Sequence, residues 1–557
     1  MDSVFKDIFA PSASSSSLKR DYDNEDGFIA KQKIQEQEEE EEKEVDFDHL
    51  TKEDIDKMVD EAANFDEPTL DQSGLKQLLL ELERKVTQNH NLRSKYPNDP
   101  IKFEESEYEL HHEIQKCSAI ATVPTLYPII SKLGFMETLI SLVAHENILI
   151  SIDALKLLND LSDSEVAMEY EETDCIFEDM IRYNALEIVI ENIKRLDENT
   201  RKLASSDITT MSTLNDEDDG IYTSFSIIDN IMEVQTETVS TVINKTNIMS
   251  YLLSCIKVKI FTDIKLYAAE LLFTLIQNTD GVVKFKSIPN SLDDLLKSVA
   301  YWRNRDPQTA SECECCENVY NTLCELLLDD SIRSLLHENE AMELFLMPIT
   351  KFKYARVPSF KAIDYSVQNN KQNCDDFMEK NGLKSLFPAF LGKNNSHPLR
   401  EFSDDDKIKF MSSLVNIIYA LLSIYDKNDI SYKRIINKFM EKGFEKTDRM
   451  LELYAQYKKE NDKLEQRFLN GQVQLSEEDK EEGLTIDDIY ELERQKIGAY
   501  LYEKCAYCLN ILMTDSKCND HIKQKAYEQN YDLSDIPILE QVRIEELEAT
   551  KQAKDQE

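Results

Sequence analysis

Three clusters in the 557-residue sequence carry side chains able to bind a metal or do redox work: His111-His112-Glu113, Cys505-Ala-Tyr-Cys508, and Cys313 with Cys315 and Cys316. A helical zinc-protease site needs two histidines four residues apart, so that both rings leave one face with a glutamate between them. Adjacent histidines point about 100° apart on a helix and offer no such pair. The single CxxC has no second CxxC and no histidine doublet at zinc-finger spacing. All these thiols fall in helical pattern, where a buried cysteine acts as a small apolar residue. No GxxxxGK[ST] or GxGxxG run is present to cradle a phosphate. With 11 glycines in 557 residues, few tight turns remain for an oxyanion hole or a nucleophile elbow. The expectation is a protein without catalytic residues, metal or cofactor.

The elements left to carry binding residues are helices. Gly (11) and Pro (13) are too scarce for turn-rich sandwiches or barrels. The run LDQSGLKQLLLELERKVTQNHNLRSKY predicts a first helix, capped by Thr69 and ended by Pro97 and Pro100, and FEESEYELHHEIQKCSAIA predicts a second. At Gly134 a unit begins: a short helix FMETLISLV, a polar turn at His145-Glu-Asn147, and a longer helix ILISIDALKLLNDLSD with Ala154 among large aliphatics. Variants start at Asn184, at Asn247, near Ser287, near Glu340 and at Asn381-Gly382. This unit resembles an armadillo repeat. No unit of this kind buries its apolar face alone, so neighbours and end caps are required. Residues 121–425 are expected to hold about six such repeats. Residues 67–120 and 426–515 are expected to be helical caps, and 516–557 a charged helix or tail. The expected fold is all-α, an armadillo/HEAT-like right-handed superhelical solenoid capped at both ends.

Charge then says what such a surface would bind. Lys and Arg total 64 against 108 Asp and Glu, a formal net charge of −44, which repels nucleic-acid phosphates and anionic membranes wherever no local patch reverses it. Neither direct nucleic-acid binding nor a membrane is expected. In import receptors of the armadillo fold, a tryptophan and an asparagine four residues later recur on the final helix of each repeat and hold an extended basic peptide. Here the one tryptophan, Trp302, is followed by Asp306, so that ladder is missing. The corresponding paired positions are Lys156 and Asp160, Ser226 and Asn230, Glu270 and Thr274, Asn321 and Glu325. Of these, Asp160, Asn230, Glu270 and Glu325 suit a basic, nuclear-localisation-like peptide through charge-assisted hydrogen bonds. Ordinary solvated charge on a very acidic surface is the alternative.

Residues 1–66 read as a disordered acidic arm. They include Ser14 to Ser17 and EQEEEEEKEVDFD, a charge density that blocks collapse without an apolar partner. Within the arm, Lys19-Arg20 and Lys31 with Lys33 form either a two-part nuclear import signal or part of a solvated tail. The eleven cysteines are odd in number and irregularly spaced, which points to a reducing compartment. No apolar run reaches the length of a membrane helix and the first residues lack signal-peptide grammar, so a soluble intracellular protein is expected.

Two longer stretches, LRSKYPNDPIKFEESEYELHHEIQKCSAIATVPTLYPIISKLGFMETLISLVAHEN and NKFMEKGFEKTDRMLELY, resemble the beta-catenin-like protein 1 family. YPNDPIKFEESEYEL and EKTDRMLELY carry the specificity, because ordinary armadillo proteins lack them. The resemblance implies a nuclear, non-enzymatic scaffold associated with the spliceosome through the nineteen complex and its Myb-type scaffold subunit. The family's amino-terminal arm has thicker basic clusters than this one. A cytoplasmic armadillo-type adaptor or transport factor is the reading that fold alone would support. The sequence leaves a homo-oligomer open.

Overall fold

A computed structural model describes residues 70–204, 211–393, 397, 400–472, 474–476, 479–480, 483–541 and 543–544. Lys19, Arg20, Lys31, Lys33 and the expected cap Thr69 lie outside the described residues. The chain divides into two units, 1–78 and 79–557. In the first, helix α1 (Gln72–Lys95) begins, and the Asp71 carboxylate accepts the Gly74 N–H at 2.6 Å. Asp71 therefore supplies the cap, because it stands three residues before that orphan donor.

Among its described residues the second unit consists of helices joined by turns and loops, with one isolated bridge between His397 and Arg400 and no strand. After α2 (Glu104–Lys116) the helices come in threes. The first triplet is α3 (Tyr127–Lys132), α4 (Phe135–Val143) and α5 (Ile148–Leu161), followed by a short α6 (Ser164–Glu169). Next come α7 (Asp174–Arg182), α8 (Ala185–Ala204) and α9 (Met211–Val234), then α10 (Thr238–Lys245), α11 (Ile248–Ile256) and α12 (Asp263–Ile276). The fourth is α13 (Thr279–Ser287), α14 (Ser291–Tyr301) and α15 (Ala310–Leu326); the fifth is α16 (Asp330–Leu335), α17 (Ala341–Thr350) and α18 (Arg356–Val367). The sixth is α19 (Lys371–Glu379), α20 (Leu383–Phe390) and α21 (Asp404–Ile424). Then come α22 (Ile430–Leu469), α23 (Ile486–Ile497), α24 (Ala499–Leu512) and α25 (Ser516–Gln529), with a further helical stretch over 535–541.

Local chemistry sets the two turns inside a triplet. Between its first and second helices the backbone passes through a left-handed residue, with φ of 75° at Gly134, 55° at Asn184, 59° at Asn290, 51° at Glu340 and 61° at Asn381. Glycine lacks the Cβ that clashes there, and asparagine tolerates it better than most. Asn247 departs from the pattern, with φ of −106°. Before the third helix, Asn147 accepts Leu149 N–H at 3.0 Å, Thr262 accepts Lys265 N–H at 3.2 Å and Thr309 accepts Glu312 N–H at 3.1 Å. Ser403 and Asp406 cap α21 reciprocally.

The third helices stack on one another in chain order, α5 on α9, then α12, α15, α18, α21 and α24, and form one continuous long-helix layer. Ala154, Ala268 and Ala362 are fully buried and let these backbones approach, while Leu155, Leu271, Leu323 and Leu414 fill the space between them. Trp302 is also fully buried, edge-on to Tyr301 at 4.6 Å, so the lone indole belongs to the core. Cys505 and Cys508 are buried in α24. By length and composition α21 could cross a membrane, contrary to the expectation that no run is long enough; it is instead mostly buried, packed against α18, α20, α22 and α24.

Both ends of the layer are covered. At one, α2 packs on α5, and α1 is tied to α2 by Asn89 to Ser106 at 3.0 Å and Lys85 to Glu109 at 3.1 Å. At the other, α24 packs on α21 and is held by α22. Helix α22 is broken at Glu441–Phe444, where Lys442, Gly443 and Phe444 are all left-handed. The break turns Phe444 onto the His521 ring, stacked at 4.1 Å, while Phe439 meets Phe387 edge-on at 5.4 Å.

Candidate peptide-binding face

The long-helix layer presents a row of polar side chains from α9 to α15. On α9, Asp229 and Glu233 are one helical turn apart and share a face. Tyr267 of α12 donates its hydroxyl to Asp229 at 3.3 Å and meets Tyr222 of α9 edge-on at 4.9 Å. Burial pushes the Asp229 carboxyl up to about 6, with the Glu233 charge adding to it and the tyrosine bond opposing. Burial likewise pushes Glu270 of α12 up to about 7, reinforced by Asp229 and then by Glu314 of α15. Among the described residues, no Lys or Arg lies within ion-pair distance of Asp229, Glu233, Glu270 or Glu314. Converging carboxylates without a counter-charge are a surface poised to accept cationic side chains.

The expected binding residues take up different places in this layout. Glu270 lies at the centre of the carboxylate group, and half-buried Asn230 adjoins Asp229. Thr274 turns its hydroxyl back to the Glu270 carbonyl at 3.4 Å. Glu325 is half-buried near the far end of α15, one turn beyond Asn321, which accepts the Lys361 ammonium of α18 at 3.0 Å. Asp160 of α5 stands apart; desolvation of its carboxyl and then Asp163 raise its pKa, with Lys156 opposing. Asp229, Glu233, Glu314 and the two tyrosines were not among the expected residues. The Asp-x-x-x-Glu spacing of Asp229 and Glu233 is the signal that would have found the first two.

Beyond α15 the long helices carry cations as well. Lys361 projects from α18, and on α24 the Lys504 ammonium lies 4.8 Å over the Tyr419 ring. Arg543 donates to the Tyr419 hydroxyl at 3.0 Å.

The clusters with metal or redox chemistry are taken up differently. His111 pairs with Asp153, whose hydrogen bond raises the imidazole pKa. Glu113 is buried and accepts Lys116 at 2.9 Å. Burial pushes Cys315 up to about 12, and raises Cys316, Cys505 and Cys508 as well, so these thiols are held protonated. Among the described residues no three His, Cys, Asp or Glu side chains are grouped to hold a metal ion.

A profile of the family described as catenin-beta-like, Arm-motif containing and nuclear matches residues 53–539. Beta-catenin-like protein 1 of Rattus norvegicus is 28% identical over 392 residues, 70% of this chain and 66% of that protein. The beta-catenin-like protein 1 homolog of Schizosaccharomyces pombe is 30% identical over 407 residues, 71% of this chain and 66% of that protein. The matched region thus spans 66% of the length of these relatives. The crystal structure of SYS-1 is 11% identical, covers 85% of this chain and 84% of its own, and gives a TM-score of 0.46.

Proposed function

The chain belongs to the catenin-beta-like, Arm-motif-containing nuclear family, and from that premise we propose that it is a non-enzymatic scaffold of the nuclear pre-mRNA splicing machinery that holds basic, extended segments of partner proteins. The observation that carries the binding half of this reading is the grouping of Asp229, Glu270 and Glu314 on three successive long helices, with no Lys or Arg among the described residues within ion-pair distance of them. Lysine or arginine side chains would supply that counter-charge, and the exposed edge of Tyr222 offers an aromatic surface for their aliphatic stems. A stack of rigid helices holds such groups at fixed intervals without folding on contact, so little ordering cost falls on the scaffold.

The splicing half rests on family resemblance. Its partners would be proteins of the nineteen complex, including the Myb-type scaffold subunit, and nuclear-localisation-like basic peptides. Tagged full-length protein should concentrate in nuclear speckles and bring those proteins down from nuclear extract. E270Q/E325Q should lower recovery of partners joined through basic segments several-fold. Diffuse cytoplasmic or junctional signal, with no splicing protein recovered, would favour a cytoplasmic adaptor and contradict the proposal.

A further inference from the structure

Three loops along part of one edge of the solenoid carry the opposite charge to the chain as a whole. In each triplet the second helix turns into the third through a loop, and three consecutive loops read KVKIFT (257–262), WRNRDPQT (302–309) and KFKYA (351–355). They hold six Lys or Arg and a single acid, Asp306, in a chain of net charge −44. The expectation that anionic partners are repelled applies only where no local patch reverses the sign, and here one does.

The three loops join into a single strip. The Lys265 ammonium donates to the Val258 carbonyl at 2.6 Å and lies 4.2 Å over the Tyr301 ring, which the Arg305 guanidinium also approaches, at 4.9 Å. Lys353 reaches Asp306 at 2.9 Å, the Tyr354 N–H donates to the same carboxylate at 2.8 Å, and Lys351 donates to the Asn304 side chain. Some of the charge is spent within the fold, since Lys257 pairs with Asp294 at 2.9 Å and Arg305 with Glu312 at 2.6 Å. Lys259, Arg303 and Lys351 are exposed, and among the described residues none has a carboxylate within ion-pair distance. Beside them Val258, Ile260 and Phe352 are 49%, 73% and 55% exposed. Val258 and Ile260 are spread on the surface between cations, and the Phe352 ring, though mostly exposed, lies under the Arg356 guanidinium at 5.5 Å.

We propose that this strip docks an acidic protein segment whose carboxylates alternate with apolar side chains. Carboxylates would meet Lys259, Arg303 and Lys351, and apolar groups would cover Val258, Ile260 and Phe352. Nucleic acid fits less well, because three unpaired cations neutralise few phosphates and the remaining charge of the chain repels the rest. The strip shares no residue with the acidic face, so it stands independently of the function proposed above.

The test is fluorescence anisotropy of a fluorescein-labelled peptide of alternating Asp or Glu and Phe, Val or Leu, titrated with the full chain. Saturable binding should weaken at least tenfold in K259E/R303E/K351E, with the milder K259A/R303A/K351A used if the reversed variant melts differently. I260A/F352A should weaken it several-fold, and Glu270→Gln should leave it unchanged. Equal affinity in the charge variants, no saturable binding, or displacement of the peptide by oligouridylate at lower concentration than by unlabelled peptide would overturn the proposal.

Discussion

At the residue scale, the unusual property of the acidic face is that two of its carboxyls titrate near neutrality, Asp229 at about 6 and Glu270 at about 7. Their pKa values are raised, so both are increasingly neutral below these values and become charged as pH rises through them. A cationic peptide prefers the ionised forms and must release their protons to bind at lower pH. Its affinity should therefore increase by about a hundredfold between pH 5.5 and pH 8 if both protons must leave, measured by anisotropy at constant ionic strength. Carboxylates of ordinary pKa would give a flat profile over that range, as D229N/E270Q should. If Lys19, Arg20, Lys31 and Lys33 act as a two-part import signal, changing all four to alanine should reduce nuclear accumulation and leave the melting temperature unchanged, and unchanged nuclear signal would sink that assignment. Glu270 was legible because it occupies a recurrent position on a recognisable long helix. Asp229 was not, because the tryptophan–asparagine positions belong to another branch of the fold, and Asp229 lies one residue off that register. Its neighbour across the layer, Glu314, is 85 residues away in sequence, and only the stacking of α9, α12 and α15 brings the two together.

At the element scale, helix periodicity and the Gly or Asn residue heading most second helices make the second and third helices of each triplet visible in the amino-acid sequence, as two-helix units. The physical reason is the left-handed turn, which few residue types enter cheaply. The short first helices, six to nine residues long, carry too little periodicity to be read there. Glu340 meets the same demand for a left-handed residue without an obvious sequence mark, and the triple left-handed break at Lys442–Phe444 falls in a run that reads as helices with a charged face but does not show where one ends. Two glycines separate strain from space. Gly134 has φ of 75° and open space around it, so Gly134→Ala should cost about 1 kcal/mol for the left-handed alanine. A Cβ at Gly281 would lie 2.0 Å from the Leu275 carbonyl oxygen, inside backbone that cannot turn aside. Gly281→Ala should therefore cost about 3 kcal/mol or more. Chemical denaturation of both variants checks the order, and equal midpoints would show that the α12–α13 turn relaxes freely.

At the scale of the whole molecule, each repeat borrows apolar cover from its neighbours, and the terminal members borrow it from α2 and α24. A fragment of residues 121–425 loses both covers and exposes the packed sides of α5 and α21. It should elute as aggregate in size-exclusion chromatography, while the full chain melts cooperatively; a monodisperse, fully helical fragment would refute the capping role. The solenoid class was legible because repetition of one grammar averages over weak copies such as those near Ser287 and Glu340. What the assembled surface would hold was not, since it depends on side chains from separate repeats, with Tyr267, Glu270 and Glu314 brought to Asp229 only by the stacking of α9, α12 and α15. The central claim is that this assembled acidic face is a binding surface for basic segments. The most direct measurement is the affinity of a fluorescein-labelled, nuclear-localisation-like basic peptide for the full-length protein and for its D229N/E270Q variant, at ionic strengths from 50 to 300 mM. The expected result is affinity that falls steeply with salt and drops about tenfold in the variant at low salt, with helix content unchanged. Equal affinity for both proteins at every salt concentration would contradict the claim.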